Sequence, residues 1–112
     1  QDELEDRSKV YTFGLNIQKN FAGDDGVATE VEFVLQNKSD GHYIKAKQAE
    51  PGKYWVTDGS KGQTEAEGTV FSPNADGKLV IDGLEADTYI LTEISTSDGY
   101  NLLKEPLISR VP

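Results

Sequence analysis

The chain has 112 residues, which is enough for one domain with a single hydrophobic core. Lysine and arginine total 11 against 20 aspartates and glutamates, and the net charge of −9 argues against partners such as nucleic acid or an anionic membrane surface. No apolar run approaches the roughly 20 residues that cross a bilayer. Cysteine is absent, so we expect no disulfide. Methionine is absent as well, so we expect the chain to be a processed piece or an excised domain.

The beginning of the chain is charged, and Leu4 is its one apolar residue before position 10. This composition is typical of a linker or tether, so we assign residues 1–9 to a linker and residues 10–112 to the domain.

The first predicted strand covers residues 10–19, with Tyr11, Phe13, Leu15, Ile17 and Lys19 on one face. The opposite face is mostly small or polar, so the face with the lysine is predicted to be the core face. A buried lysine is costly unless it is paired, neutralised or chemically consumed, and each of these outcomes requires a partner elsewhere in the chain.

Further short segments are rich in aromatic and β-branched residues, and none has a helical period. They are residues 31–35, 42–46, 53–56, 68–71, 78–81, 87–94 and 100–111. Six Asp-Gly pairs are predicted to form turns: Asp25-Gly26, Asp40-Gly41, Asp58-Gly59, Asp76-Gly77, Asp82-Gly83 and Asp98-Gly99. Calcium binding is the alternative for these aspartates, but no pair continues as an EF-hand loop. The spacing predicts an all-β, antiparallel, immunoglobulin-like sandwich.

The usual catalytic and cofactor signatures are missing from the sequence. His42 is the one histidine, so the sequence fits neither the usual sets of zinc ligands nor serine hydrolase chemistry. His42 is predicted to be an exposed strand residue. No phosphate loop appears, and we expect no cofactor and no metal site. The pair Tyr54-Trp55 is either a ligand platform or, more simply, one core residue beside one residue packed on a neighbouring strand.

One strand near the end of the chain carries a candidate partner for Lys19. Tyr89, Leu91 and Glu93 share one face of the segment 87–94. The other face is also partly apolar, so periodicity permits an inward Glu93 but does not prove it.

Residues 89–93 read Tyr-Ile-Leu-Thr-Glu and are followed, after five residues, by Gly99-Tyr100. This pattern resembles the E-box of Gram-positive pilins and surface adhesins. Together with the first strand and the segment 77–84, it is similar to a Cna-B-like domain of the fimbrial isopeptide-forming class, over most of residues 10–108. Thr96-Ser97 stands where the family commonly has Ala-Pro, which concerns the loop and not the chemistry.

The resemblance implies an intramolecular isopeptide bond, with Lys19 as the nucleophile and Glu93 as the catalyst. Burial favours the neutral amine and the protonated acid, and such an acid can polarise a carbonyl and carry protons. The protein would not be an enzyme, because this chemistry cross-links the domain itself. The alternative is a buried Lys19 to Glu93 ion pair without a covalent product.

The family places the acceptor, an asparagine or aspartate, on a last strand beside the first. Asn101 comes too early, Asn16 and Asn20 flank the lysine on its own strand, and Asn37 and Asn74 resemble turn or strand-end residues. We therefore expect the acceptor outside this chain and the C-terminal strand to be incomplete. The strand was either removed from the domain or is supplied in trans by a peptide.

The resemblance also implies a role and a place for the protein. We expect a structural stalk or shaft module of a pilin or adhesin, extracellular and anchored to a Gram-positive cell wall in a sortase-assembled polymer, with neighbouring subunits as partners. The sequence shows no sorting motif. The alternatives are an adhesin module that binds a host protein or glycan, and a split ligation partner that captures a peptide strand.

Overall fold

The fold is described from a computed structural model, which covers residues 12–23, 25–62, 64–103 and 105–112, without the side chains of residues 57–62. The predicted linker 1–9 and Tyr11 lie outside the described residues. Seven strands form the fold: β1 (Phe13–Gln18), β2 (Glu32–Asn37), β3 (Tyr43–Glu50), β4 (Lys53–Gly62), β5 (Lys78–Leu84), β6 (Asp87–Ser95) and β7 (Leu107–Val111). Two short 3-10 turns, Ala28–Glu30 and Glu65–Glu67, interrupt the loops.

The strands form one mixed sheet in the order β1-β5-β4-β3-β2-β6-β7. Every pairing is antiparallel except β4 with β5, which run parallel. The bond between β2 and β3 is limited to the pair Gln36 and Tyr43, whereas the other ladders are longer. The sheet therefore divides at this narrow junction into two halves, β1-β5-β4-β3 and β2-β6-β7, and the all-β prediction is confirmed.

Both halves of the sheet contribute to one hydrophobic core, because alternate side chains of each strand point to the same interior. The first half supplies Leu15, Ile44, Tyr54, Leu79, Ile81 and Leu84, and the second half supplies Phe33, Leu35, Tyr89, Leu91 and Val111. Val31 and Phe71 join this core from outside the strands. Among the described residues, no helix has the length and apolar character needed to span a membrane.

The structure corrects two of the strand predictions. Residues 68–71 do not form a strand, because Phe71 makes only an isolated bridge with Phe33. The predicted segment 100–111 becomes strand only from Leu107, and the preceding residues form a loop.

The six Asp-Gly pairs have different outcomes, and the turn prediction is wrong at Asp25-Gly26, which lies in loop without a turn. Gly41, Gly77 and Gly99 have positive φ values at turns, as predicted, which only glycine adopts without strain. Asp58-Gly59 lies inside β4, so the turn prediction is wrong there. Asp82-Gly83 lies inside β5, where the register with β1 shifts and Gly83 has φ +90, and this pair therefore forms a β-bulge rather than a turn.

Candidate functional site

Lys19 lies directly after β1, on the face that the sequence predicted. Leu15 is buried and Phe13 and Ile17 are partly buried against the core, whereas Asn16 is exposed on the other face. The backbone N–H of Lys19 donates to the carbonyl oxygen of Gly77 at 2.7 Å, which continues the β1 to β5 contact by one residue. The lysine side chain therefore leaves the strand toward the interior, with 15% of its surface exposed.

Glu93 points inward from β6, and the structure thereby decides what periodicity left open. Tyr89, Leu91 and Glu93 are buried, while Ile90 and Ile94 on the other face are only partly buried. Because β6 lies between β2 and β7, the strand has hydrogen-bonded neighbours on both sides, and Glu93 pairs in register with Phe33 of β2.

The two predicted site residues meet inside the protein. Lys19 Nζ lies 3.2 Å from Glu93 Oε2, and the glutamate side chain is 0% exposed. The distance is that of an ion pair, but the angles are not those of a hydrogen bond, and Oε2 has no hydrogen-bond partner among the described atoms. The other oxygen, Oε1, accepts a hydrogen bond of 2.9 Å from the backbone N–H of Leu103. This arrangement fits both the reactive pair and the simple ion pair.

The Phe21 ring lies against the Lys19 amine, and a second aromatic ring packs on Phe21. Lys19 Nζ lies 5.2 Å from the centre of the Phe21 ring, within the range of a cation–π contact. The Phe21 ring packs against Tyr100 with 4.8 Å between centroids. Tyr100 in turn donates its hydroxyl to Asp25 Oδ1 at 2.6 Å, and this bond to the carboxylate raises the pKa of Tyr100. The loop after β1 and the loop after β6 are thus joined over Lys19.

The asparagines of the chain either face solvent or bond to partners other than Lys19. Asn20 and Asn101 are exposed, and Asn16 is on the outer face of β1. Asn37 ends β2 and donates to Asp87 Oδ2, and Asn74 accepts from the backbone N–H groups of Asp76 and Lys78 in the turn before β5. Within the part of the chain that the structure describes, no hydrogen bond joins Lys19 to an asparagine side chain.

The remaining candidate residues have structural partners or face solvent. Tyr54 is 6% exposed and its hydroxyl accepts from the backbone N–H of Ser72, whereas Trp55 is 45% exposed. The prediction that His42 is exposed is wrong: its side chain is 12% exposed and Nδ1 lies 2.5 Å from Asp40 Oδ1. Across the described ranges, no group of three or more histidine, aspartate or glutamate side chains is arranged to hold a metal ion.

Gly77 holds the backbone of Lys19 in place, which gives a testable effect on stability. Its φ is +84, and a Cβ there would overlap the carbonyl oxygen of Lys19. Gly99 has a similar φ of +86, but a Cβ there would meet nothing within 4 Å. We expect Gly77→Ala to lower the free energy of unfolding by about 3 kcal/mol, from positive φ plus steric overlap.

The matched variant Gly99→Ala carries the φ strain alone and is expected to lose about 1 kcal/mol. Urea unfolding of both variants measures the difference. Equal losses of unfolding free energy in the two variants would show that the backbone of Lys19 moves aside to accommodate a Cβ at Gly77 without cost.

Sequence reasoning did not identify two parts of the site. The backbone N–H of Leu103 has no signature, since every residue except proline carries one. Phe21 follows the strand by only two positions, and its apolar character beside a predicted buried lysine was the available signal.

Comparison with known proteins identifies relatives of the whole chain. The family model for SpaA, described as a prealbumin-like fold domain, matches residues 11–111. A search of curated proteins finds no match.

Two solved pilin structures have the same fold. The backbone protein of group B streptococcus pilus 2b is 27% identical with a TM-score of 0.67, and the match covers 88% of this chain and 32% of that protein. The C-terminal domain of the shaft pilin of Lactobacillus rhamnosus GG is 23% identical with a TM-score of 0.68, and 89% of each chain is covered. This chain therefore spans about a third of the streptococcal protein and most of one domain of the other.

Proposed function

Because the chain belongs to the SpaA prealbumin-like fold domain family, we propose that it is a structural module in the stalk or shaft of a cell-surface pilin or adhesin. Solved structures that resemble it include a pilus backbone protein and a shaft pilin. Its partners are then neighbouring subunits, and its place is extracellular, on a Gram-positive cell wall. We further propose that the module is built to form an isopeptide bond, with Lys19 as nucleophile and Glu93 as catalyst.

One observation carries the chemical part of the proposal. Lys19 Nζ is 3.2 Å from a glutamate oxygen that is buried and makes no hydrogen bond among the described atoms. An ion pair that served stability alone would gain most from full hydrogen bonding, because unmet buried acceptors cost free energy.

The proposed reaction conserves atoms and charge. The ion pair first transfers a proton from the Lys19 ammonium to Glu93 Oε2. The lone pair of the resulting neutral amine then attacks the side-chain carbonyl carbon of an asparagine, and a new C–N bond forms. The carboxylic acid of Glu93 donates toward the carbonyl oxygen in the first step and then passes a proton from the amine to the leaving nitrogen. The old C–N bond breaks and ammonia departs. With an aspartic acid as acceptor, water departs instead.

The ends of the sheet indicate where an acceptor strand would fit. β1 and β7 are the two outer strands of the sheet order, and some of their Cα atoms lie within 8 Å of each other. Following the pairings from strand to strand, β1 and β7 run in opposite directions, while β1 and β6 run in the same direction. A strand that joins β7 as its antiparallel neighbour would run parallel to β1 and reach Lys19 at its far end.

Exposed apolar residues near β7 agree with this position. Leu107 and Ile108 of β7 are 45% and 57% exposed, and Leu102 and Leu103 in the preceding loop are 47% and 51% exposed. Apolar side chains along an unpaired strand edge favour the addition of another strand. The proposed acceptor strand lies outside these 112 residues, either in the same protein or in a peptide that is captured in trans.

The test is intact mass. The 112-residue chain alone is expected to have the full mass of its sequence. The chain is then extended after Pro112 by an Asp-Gly turn and an eight-residue strand of alternating valine and threonine, with asparagine placed at each core-facing position in turn. At the position level with Lys19, we expect a mass lower by one ammonia.

Three variants of the extended chain define the chemistry. Lys19→Arg and Glu93→Gln in the extended chain are expected to keep the full mass, while Lys45→Arg, which changes an exposed strand lysine, should still lose ammonia. Full mass at every asparagine position, or loss of ammonia in the Lys19→Arg chain, would rule out the proposed cross-link.

A second candidate function is binding of a host protein or glycan by the outer face of β4. Trp55 is 45% exposed there, with Lys47 and Asp82 as its cross-strand neighbours. An exposed indole between hydrogen-bonding side chains suits a sugar ring or a protein hot spot. Binding to immobilised glycans or host proteins that Trp55→Ala removes and Lys19→Arg preserves would favour this function.

A further inference from the structure

The two oxygens of Glu93 have different surroundings. Oε1 accepts the backbone N–H of Leu103 at 2.9 Å, whereas Oε2 lies 3.2 Å from Lys19 Nζ without a hydrogen bond among the described atoms. The glutamate side chain is 0% exposed, so water does not make the two oxygens equivalent. Among the described residues, the backbone N–H of Leu103 is thus the hydrogen-bond donor that distinguishes the two oxygens.

This difference determines where a proton can reside on the acid. An oxygen that accepts from a fixed N–H acts as the carbonyl oxygen of a carboxylic acid, so the hydroxyl belongs on the other oxygen. We propose that the backbone N–H of Leu103 is a positioning group that keeps the acidic proton on Oε2, beside the Lys19 amine. Its role in the cross-linking reaction rests on the proposed function, while the place of the proton depends on the hydrogen bond alone.

The segment that carries Leu103 is anchored by the residues of the Gly-Tyr motif. Gly99 turns the chain with φ +86, and the backbone N–H of Tyr100 donates to the carbonyl oxygen of Ser97. The Tyr100 ring then packs on Phe21, and its hydroxyl bonds to Asp25. These contacts fix the chain three residues before Leu103. The spacing between Glu93 and the Gly-Tyr pair therefore has a physical consequence. It brings the chain back toward β6, so that the backbone N–H of Leu103 reaches Glu93 Oε1.

The side chain of Leu103 contributes little to this position. It is 51% exposed, so the leucine is not held by burial in the core. Replacement of the Leu103 side chain should therefore be tolerated, whereas removal of its backbone N–H should not. Misplacement of a catalytic group by about 1 Å can slow a reaction about a hundredfold, and we expect a loss of about tenfold to a hundredfold here.

The experiment compares three changes at one position in the extended, asparagine-bearing chain. Leu103→Ala keeps the N–H and removes most of the side chain. Leu103→Pro removes the N–H but restricts the backbone, and a backbone ester at residue 103, made with the α-hydroxy acid of leucine, removes only the N–H. The rate of ammonia loss is followed by intact mass. We expect the Leu103→Ala chain to react at the rate of the parent, and the ester and Leu103→Pro chains to react about tenfold to a hundredfold more slowly.

A second measurement needs no cross-link. In the 112-residue chain, the amide proton shift of Leu103 is followed by NMR during an acid titration. We expect it to move as Glu93 takes up a proton and to stay constant in Glu93→Gln. Among the described residues, the charged side chain that lies against Glu93 is Lys19, so Lys19→Met serves as the control for its influence.

The two measurements separate failure of this inference from failure of the proposed function. An ester chain that reacts at the parental rate, or a Leu103 amide that ignores the titration, would overturn the positioning role while the cross-link itself could still form. A Leu103 amide that follows Glu93 in a protein that never loses ammonia would overturn the proposed reaction and leave the place of the proton supported.

Discussion

Replacement of Lys19 by methionine is expected to lower the free energy of unfolding by about 3 kcal/mol, because it leaves the carboxylate of Glu93 buried without its countercharge. The glutamate side chain is 0% exposed and the lysine is 15% exposed, so neither charge is well screened by water. We take the lower end of the range for broken buried pairs because the lysine retains some contact with solvent. Urea unfolding at neutral pH measures the change.

A double variant tests whether the unpaired, buried charge of Glu93 causes the loss of stability. In Lys19→Met/Glu93→Gln the amide carries no charge, and its carbonyl oxygen can still accept the N–H of Leu103. We expect it to recover more than half of the lost stability. Lys45→Met, at an exposed position of β3, should change stability by no more than about 0.5 kcal/mol. If Lys19→Met and Lys45→Met lowered the free energy of unfolding by the same amount, the ion pair would make no contribution to stability.

Truncation of Phe71 is expected to be the most damaging change in the core, with a loss of about 4 kcal/mol for Phe71→Ala. The residue is 0% exposed, and its ring packs edge-on against Tyr54 with 4.8 Å between centroids. Its backbone exchanges two hydrogen bonds of 2.8 Å with Phe33 of β2. Phe71 thus joins the two halves of the sheet where the β2 to β3 ladder is narrow, and the cavity left by alanine could not be closed by one half alone.

The neighbouring residue supplies the control. Val70 is 45% exposed, so Val70→Ala should cost about 0.5 kcal/mol or less. Thermal or urea unfolding of the two variants tests the assignment, and similar losses for both would show that residues 68–71 are a surface segment and not part of the core.

The strands could be predicted from local patterns because pleated strands alternate their side chains and turns favour particular residues. The strongest segments, such as residues 78–81 and 87–94, lie within β5 and β6. Prediction failed where a local pattern had two structural uses. Asp-Gly serves as a turn at Asp76-Gly77 but as a bulge at Asp82-Gly83, since positive φ suits both.

Pairing between distant strands could not be predicted, because it depends on contacts that the sequence does not encode locally. The parallel pairing of β4 with β5 is an example, since the two strands are joined by a long loop and share no motif. The loop itself contributes Phe71 to the core and contacts β2 through one isolated bridge. The residues around Phe71 have a sequence typical of a short strand, which is why the sequence predicts a strand there.

The side of β1 on which Lys19 lies follows from the alternation of residues along the strand, because a polar outer face and an apolar inner face leave one orientation for it. The sequence also singled out Glu93 as the candidate partner. The inward direction of Glu93 follows from the packing of the folded chain, since both faces of β6 carry apolar residues and its orientation depends on how β2 and β7 pack beside it. The hydrogen bond from the backbone N–H of Leu103 to Glu93 Oε1 likewise depends on the tertiary structure. Almost every residue carries the same backbone donor, so its role comes only from where the fold places it.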